Sequence, residues 1–223
     1  GKKNRQTLLL GAPEVAWLAR EAAAIAAAAT DAATAQNAVD QFAKTANFKA
    51  MASNTALPGG LTAALFGRMI TSDPEANIEA PMYVAHAFTV HAAEIEDDYF
   101  TAVDDLRRDE DSGADTIQET EINNGLYYGY VVIDLPGLIR NCSGDRGLAA
   151  RVLDSLVHLI AEVSPGAKLG STAPFGRADL MLLEAGERQP RSLATAFRNA
   201  IPHDGASAVA ALENELACQD ECY

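Results

Sequence analysis

An acidic segment between strand-like sequences constrains the fold of this chain more than any other feature. Between Ala93 and Asn124, twelve Asp or Glu residues are opposed only by Arg107 and Arg108, which gives the segment a charge of −10. The whole chain of 223 residues carries −14, so the remainder carries only −4. A dense run of like charges repels itself and stays in water. We therefore predict a solvated, acidic-tipped hairpin in this segment.

Strand-like segments define the two ends of this hairpin. Residues 100–106 and 117–122 are predicted to be its arms, with the turn sequence Ser112-Gly113 near the tip. Residues 126–135 are rich in tyrosine and valine and follow the turn-forming Asn-Asn-Gly, so they are the strongest predicted strand. Residues 82–91 show the two-residue alternation of a further strand. The hairpin therefore connects two predicted strands.

The remaining chain is mostly helical in pattern. Pro13 suits the first turn of a helix, and apolar residues recur after it at three- and four-residue spacing. Ser143 or Asp145 is predicted to cap a helix over residues 147–163. Further predicted elements are helices over 35–51, 61–69, 192–200 and 209–216 and a strand over 178–184. Strand, hairpin, strand, helix and strand make up most of a ferredoxin-like βαββαβ unit, so we predict an α+β fold.

Composition places the chain among ordinary globular proteins. Hydrophobic residues make up 48% and charged residues 22%, and no apolar run reaches the roughly 18 residues of a membrane span. The first residues lack an export pattern, so we expect a cytoplasmic protein without a membrane partner. Cys142, Cys218 and Cys222 do not form a disulfide framework, and the last two alone cannot complete a metal site. We predict neither a metal nor another cofactor.

The sequence patterns of common hydrolases are missing. The chain contains no Gly-x-Ser-x-Gly elbow, no phosphate-binding glycine-rich loop and no His-Glu-x-x-His. His86 and His91 fall on opposite faces of the predicted strand, so both are expected to be packed or hydrogen-bonded rather than catalytic. We predict that the chain is not an enzyme. Two alternatives stay open: a metal-dependent ribonuclease built on His91, Asp97 and Asp104, and an acidic protein-interaction module without an RNA role.

Two short sequences carry residue types that hold single-stranded RNA, which are cations for phosphates and flat or apolar side chains for bases. Gly67-Arg68-Met69 combines a glycine that permits close approach, a cation and a flexible apolar wedge. Tyr99 and Phe100 add aromatic surface, and Thr101 adds a hydroxyl. A further cation, Lys168, follows the predicted helix end. The candidate RNA-binding residues are Arg68, Met69, Tyr99, Phe100, Thr101 and Lys168.

Three motifs together resemble a known family. Gly-Arg-Met at 67–69, Ala-His-Ala-Phe-Thr-Val-His at 85–91 and Phe-Thr-Ala-Val-Asp-Asp-Leu at 100–106 resemble the CasC family, the backbone subunit of the type I-E CRISPR surveillance complex Cascade. The resemblance implies an RRM-like (ferredoxin-like) palm of the RAMP superfamily, a helical fingers insertion and a long β-hairpin thumb. It places mostly helical fingers in residues 1–84 and the palm in residues 85–223, with the thumb at about 96–126. The family's N-terminal strand is missing from this sequence and is expected to precede it.

The resemblance also implies a function in antiviral defence. CasC subunits stack head-to-tail in a helical filament along a guide RNA, the crRNA, together with other Cascade subunits. Target DNA is then read by pairing with the guide rather than by the protein. The resemblance makes Met69 a wedge beside a kinked nucleotide and gives Tyr99, Phe100 and Thr101 contacts with the guide. It matches Lys168 to a lysine of the family. The ribonuclease alternative belongs to the same superfamily.

Overall fold

Helices and short antiparallel sheets make up the architecture. A computed structural model describes residues 7–45, 57, 59–71, 74–102, 116–164, 166, 170 and 173–222. The helices in these ranges are α1 (Ala12–Ala28), α2 (Ala32–Thr45), α3 (Gly60–Phe66), α4 (Leu135–Asn141), α5 (Arg146–Glu162) and α6 (Gly205–Cys222), with 3₁₀ turns at Pro74–Ala76 and Ala194–Phe197. The strands are β1 (Met82–Val84), β2 (Phe88–Thr89), β3 (Ile95–Ala102), β4 (Thr116–Asn123), β5 (Tyr127–Tyr128) and β6 (Val131–Ile133).

The chain divides into two compact units, and each unit is built from two separate stretches of sequence. The first unit comprises Gly1–Val84 and Val131–Ala178, and the second comprises Ala85–Tyr130 and Asp179–Tyr223. The strand pairs follow this division. β1 pairs with β6 in the first unit, whereas β2 pairs with β5 and β3 with β4 in the second, all antiparallel. The assignment of residues 1–84 to fingers and 85–223 to a palm stays a prediction.

The core of the first unit lies where α4 and α5 pack together. Leu138, Cys142 and Ala149 are buried there, and Ile133 of β6 packs against them. Burial, with a smaller contribution from the negative charge of Asp145, raises the pKa of the Cys142 thiol. Cys142 therefore serves as a packed apolar residue, and its thiolate is disfavoured.

Carboxylates fix the beginnings of two helices in the first unit. Asp145 precedes α5, and its side chain accepts a hydrogen bond from the Leu148 N–H at 2.9 Å. Of the two caps that the sequence offered, Asp145 is therefore the one used. At α1, Pro13 occupies the first turn, and the Glu14 carboxylate accepts the Gly11 N–H at 2.8 Å. Each carboxylate satisfies a backbone donor that the helix itself leaves unpaired.

The second unit contains an aromatic cluster beside the β2–β5 pair. The Phe88 and Tyr128 rings lie 5.5 Å apart between centroids, and Phe197 lies 6.4 Å from Phe88 and 5.6 Å from Tyr128. The Tyr128 hydroxyl also accepts the Leu193 N–H at 3.1 Å. Rings at these separations attract one another beyond simple burial. The cluster therefore attaches the β2–β5 pair to the 3₁₀ turn at Ala194–Phe197.

Two predicted strands are interrupted and a third is wrong. Residues 82–91 form β1 and β2, and residues 126–135 form β5, β6 and the start of α4. Residues 178–184 form no strand, because none of them pairs in a described ladder, and Leu180 and Leu182 stay exposed. An apolar alternation becomes a strand only when a neighbouring strand takes up its backbone N–H and C=O groups. Sequence pattern alone does not supply that neighbour.

The ferredoxin-like palm stays a prediction. Such a palm places four strands in one sheet, whereas the described residues form three two-stranded sheets. The broader prediction is confirmed, because helices and antiparallel strands are both present along the chain. The helix predicted over residues 147–163 is α5, shifted by one residue. The short helix α4 was not predicted at all.

Candidate nucleic-acid interface

The predicted RNA contacts fall in both units. Arg68-Met69 belongs to the first unit, and residues 99–101 belong to the second. Lys168 lies outside the described residues, so its predicted contact stays a prediction. Each of the two groups has its own supporting structure.

In the first unit, the chain leaves α3 through a tightly constrained loop, residues 67–70, which we call the methionine loop. Gly67 has φ +75° and ψ 175°, a region that only glycine adopts readily. A Cβ on this glycine would lie 2.7 Å from the Ile78 carbonyl oxygen. Arg68 and Ile78 exchange two backbone hydrogen bonds, at 2.8 and 2.9 Å. The loop is therefore held by its backbone immediately before Met69.

The Arg68 side chain is inside the first unit rather than on its surface. Its Nη1 lies 2.7 and 2.9 Å from the two carboxylate oxygens of Glu14. Nη1 also donates to the Leu9 carbonyl at 3.3 Å, and Nη2 donates to the Ala76 carbonyl at 3.2 Å. Arg68 is 7% exposed and Glu14 is 0% exposed. Arg68 thus forms a buried ion pair in this structure, and its predicted contact with an RNA phosphate stays a prediction without support from the geometry.

Met69 points the opposite way from its neighbours. It is 69% exposed, whereas Arg68 and Ile70 on either side are buried. The Ile70 N–H donates to the Asn77 side-chain oxygen at 2.6 Å, which holds the far side of the loop. In extended backbone, alternate side chains point in opposite directions. Because both neighbours are fixed inside, Met69 is held toward solvent.

In the second unit, Tyr99, Phe100 and Thr101 lie on the hairpin made by β3 and β4. The ladder contains eight residue pairs, and it places Tyr99 opposite Glu119 and Phe100 opposite Gln118. Tyr99 is 64% exposed and Phe100 is 56% exposed, and Thr101 is exposed as well. The antiparallel pairing of the predicted hairpin arms is confirmed, with arms that begin at Ile95 rather than at residue 100. Residues 103–115, which include the rest of the first predicted arm and the predicted acidic tip, lie outside the described residues. The aromatic side chains of the hairpin face solvent while the backbone ladder supports them.

The two faces of this hairpin carry different charges. Side chains alternate between faces along a strand, and directly opposite residues share a face. The face that contains Tyr99 carries three carboxylates, from Asp97, Glu119 and Glu121. The face that contains Phe100 carries two, from Glu96 and Asp98, together with the neutral Gln118 and Thr120. An RNA phosphate is repelled more strongly by the Tyr99 face, so the Phe100 face suits RNA better.

His91 fixes the root of the hairpin. Its Nε2 accepts the Leu126 N–H at 3.0 Å, and its Nδ1 lies 2.7 Å from the Ala92 carbonyl oxygen. A neutral imidazole with its proton on Nδ1 satisfies both contacts at once. The His203 ring stacks on the His91 ring, with 3.8 Å between the ring centroids. A Cβ built on Gly125 would lie 2.6 Å from Nε2 of His91, so this position needs glycine for close approach. The prediction that His91 is packed and hydrogen-bonded is confirmed, and both of its ring nitrogens contact backbone groups.

The ribonuclease alternative uses His91, Asp97 and Asp104, and Asp104 lies outside the described residues. The other histidine of the predicted strand, His86, which we expected to be packed or hydrogen-bonded, is exposed. Within the described ranges, no three His, Cys, Asp or Glu side chains are grouped so that they could hold a metal ion.

Across the same part of the chain, no helix has both the length and the apolar character to cross a membrane.

Sequence reasoning missed Glu14, the partner of Arg68. Glu14 stands in an alanine-rich helix, where an acidic residue is typical of the exposed face. A local signal was present, because Glu14 is the third residue of α1 and directly follows Pro13, and the third helical position is one where glutamate caps the backbone. The ion pair itself spans 54 positions, so no local pattern indicates it.

Comparison with known families decides what kind of chain this is. A family model described as CT1975-like protein matches residues 1–223. The chain belongs to this family. The CT1975-like proteins are CasC-like, so the family resemblance drawn from the three motifs is confirmed. No curated protein matches the chain.

Solved structures support the family assignment. This CT1975-like chain is similar to a chain from a structure titled "CRISPR RNA-guided surveillance complex, pre-nicking", with 29% sequence identity and a TM-score of 0.64. A second similar chain, from a "CRISPR RNA-guided surveillance complex", shows 27% identity and a TM-score of 0.61. Each match covers 73% of the CT1975-like chain. It spans only 45% and 64% of the two matched chains, respectively.

Proposed function

We propose that the chain is a non-catalytic, guide-RNA-binding backbone subunit of a type I-E Cascade surveillance complex in the cytoplasm. Copies associate head-to-tail along the crRNA, together with other subunits of the complex. Target DNA is recognised by pairing with the guide that the subunits hold. Membership of the CT1975-like family and the similarity to chains of RNA-guided surveillance complexes support this proposal.

The exposure of three large side chains on constrained backbone carries the proposal. Met69, Tyr99 and Phe100 are each more than half exposed, although burial would stabilise all three. Each lies on backbone fixed by hydrogen bonds, in the methionine loop or in the β3–β4 ladder. Nucleic-acid bases offer flat apolar faces to such side chains, and each base stacked on an aromatic ring contributes about 1–3 kcal/mol. Each of these residues therefore matches a ligand that presents the face of a base.

The charge of the chain favours contact through bases over contact through phosphates. Arg68, the cation nearest Met69 in sequence, is turned inward and neutralised by Glu14. On the hairpin, Phe100 lies opposite the neutral Gln118, whereas Tyr99 lies opposite Glu119. We propose that the Phe100 face contacts the guide and that Tyr99 contributes less. Contacts to the guide that do not read its sequence suit a protein that carries many different guides.

Assembly into a filament follows from head-to-tail contacts. When one surface of a subunit binds a different surface of the next copy and the rotation does not close a ring, the copies form a helix. A helix of copies gives successive stretches of one RNA the same environment. The subunit then needs only positioning contacts, and no catalytic group is required for that task.

RNA binding by the full-length protein tests the proposal. Fluorescence anisotropy with a labelled guide RNA would compare wild type with Met69→Ala and Phe100→Ala over a series of salt concentrations. Loss of one stacking contact is expected to raise Kd roughly tenfold in each variant. Phe175→Ala is a matched control, because Phe175 is 77% exposed and is not a proposed contact. We expect its Kd to equal that of wild type.

Other results would contradict the proposal in distinct ways. RNA binding that is absent even at low salt would favour the protein-interaction module, since contacts with phosphates strengthen as salt falls. Guide cleavage that requires a divalent metal and disappears in His91→Ala would favour the ribonuclease. Intact RNA after prolonged incubation with Mg²⁺, together with the two weakened variants, is the result that we expect.

A further inference from the structure

We propose that Glu14 is a positioning residue for RNA binding, acting through Arg68 to hold Met69 in its exposed position. This inference rests on the proposed function and adds to it a role for a residue that cannot touch RNA itself. Glu14 is 0% exposed, and its carboxylate contacts the Gly11 N–H and the Arg68 guanidinium. Any effect of Glu14 on RNA binding must therefore be indirect, through the residues that Glu14 contacts.

The ion pair joins three separate parts of the first unit. Glu14 lies in the first turn of α1, and Arg68 lies at the exit from α3. The guanidinium also donates to the Leu9 carbonyl before α1 and to the Ala76 carbonyl in the 3₁₀ turn. The Arg68 side chain thus fixes the position of the methionine loop relative to the segment before α1 and to the 3₁₀ turn at Pro74–Ala76.

The guanidinium depends strongly on Glu14 for its place in the interior. Both carboxylate oxygens of Glu14 accept from Nη1 of Arg68, at 2.7 and 2.9 Å. The Nε of Arg68 is buried and has no hydrogen-bond partner among the described residues. Without the carboxylate, a positive charge would be left inside with two carbonyl contacts, which strongly favours its movement toward water.

Movement of Arg68 would displace Met69 directly. The two residues are adjacent, and their side chains point in opposite directions because Arg68 is inside. If the Arg68 side chain turns outward, the backbone between Gly67 and Ile70 rotates, and Met69 loses its fixed exposed position. An apolar wedge that is not held in place loses conformational freedom when it binds, so it binds more weakly.

A double-mutant cycle in the full-length protein tests this role. The variants are Glu14→Ala, Met69→Ala and the combination of the two. Glu14→Gln keeps the shape and removes the charge, so it provides a milder second variant if Glu14→Ala fails to fold. Glu21→Gln removes the other acid of α1 and serves as a control. Thermal unfolding followed by circular dichroism identifies the folded variants.

Two readouts distinguish positioning from general stability. The first is Kd for a guide RNA, and the second is the fluorescence of 2-aminopurine placed at successive positions of that RNA in separate samples. A wedge that unstacks a base increases this fluorescence. We expect Glu14→Ala to raise Kd roughly tenfold and to lower the fluorescence at the position that Met69→Ala also affects. We expect Glu14→Gln to show a smaller change of the same kind, and Glu21→Gln to show none.

The double mutant decides the mechanism. If Glu14 acts through Met69, then Glu14→Ala has no further effect once Met69 is alanine, and the double mutant binds like Met69→Ala. Multiplicative effects of the two substitutions on Kd would overturn the inference. So would folded Glu14→Gln and Glu14→Ala proteins that bind RNA like wild type while Met69→Ala binds weakly. RNA binding absent from wild type would instead overturn the proposed function, and this inference with it.

Discussion

The methionine loop and the β3–β4 hairpin present exposed side chains by opposite means. In the loop, Met69 is held outside because its two neighbours are buried, one of them in an ion pair with Glu14. In the hairpin, Tyr99 and Phe100 are held by a ladder of eight backbone pairs, and no buried side chain of β3 is described. The loop depends on the interior of its unit, whereas the hairpin depends on its own backbone.

Because of this difference, substitutions in the hairpin can change RNA binding without changing the stability of the protein, whereas substitutions beside Met69 in the methionine loop change both. A substitution at an exposed hairpin position removes a side chain but leaves the ladder, because backbone groups form it. In the loop, the residue beside the exposed methionine belongs to the interior, so a substitution there changes folding and presentation together. RNA binding by the methionine loop therefore depends on the packing of the first unit, whereas RNA binding by the hairpin does not depend on buried side chains in the same way.

The largest effect is expected for Arg68→Ala. This change leaves the Glu14 carboxylate buried without its partner, and breaking a buried pair in this way lowers the free energy of unfolding by about 3–5 kcal/mol. Arg140→Ala is the matched control, because Arg140 pairs with Asp134 at 3.6 Å with both side chains well exposed. Such surface pairs contribute about 0–1 kcal/mol. Urea unfolding of both variants measures the difference, and equal losses would mean that burial does not distinguish the pairs.

Gly67→Ala is expected to have the next largest effect. At φ +75° and ψ 175°, a residue with a Cβ is strained by about 1–3 kcal/mol, and this Cβ would also meet the Ile78 carbonyl at 2.7 Å. Gly176→Ala is the control, because no atom lies within 4 Å of a Cβ built there. The same unfolding measurement applies. A Gly67→Ala protein as stable as Gly176→Ala would show that the loop backbone is not the constraint we describe.

Hairpin substitutions should change binding without changing stability. Phe100→Ala is expected to raise Kd for guide RNA roughly tenfold, and Tyr99→Ala less than about threefold, because the Tyr99 face carries more negative charge. Both side chains are more than half exposed, so the free energy of unfolding should stay within about 0.5 kcal/mol of wild type. A larger effect for Tyr99→Ala would assign the guide to the other face.

The smallest expected effect concerns the charge of the hairpin faces. Glu121 lies opposite Asp97, and like charges that face each other repel. Glu121→Gln is expected to tighten RNA binding less than about twofold at low salt and to have no effect at high salt, where exposed charges are screened. Asp98→Asn, opposite Thr120 on the Phe100 face, should tighten binding more. The reverse order would again exchange the roles of the two faces.

Local sequence patterns predicted the parts of the fold that local interactions determine. The hairpin was predictable because turn sequences, alternation and charge all lie within one segment, and Asp145 was a candidate cap because a cap acts on the next few residues. The strand at 178–184 was not correctly predicted, because a strand requires a partner that the segment itself does not contain. Arg68 was read as a surface cation for a similar reason. Its partner Glu14 lies 54 positions away, and nothing near Arg68 indicates burial.

The β1–β6 ladder also determines where a segment of the chain could be replaced by a short turn. Val84 and Val131 are paired directly across this ladder, and the whole of residues 85–130 lies between them. Two residues that face each other in an antiparallel ladder can be joined by a two-residue turn such as Asn-Gly. Residues 85–130 are therefore joined to the first unit through a single pair of residues. A two-residue turn in their place would keep every pair of the β1–β6 ladder in register, but it would also remove Phe88 and Tyr128, the two ring partners of Phe197.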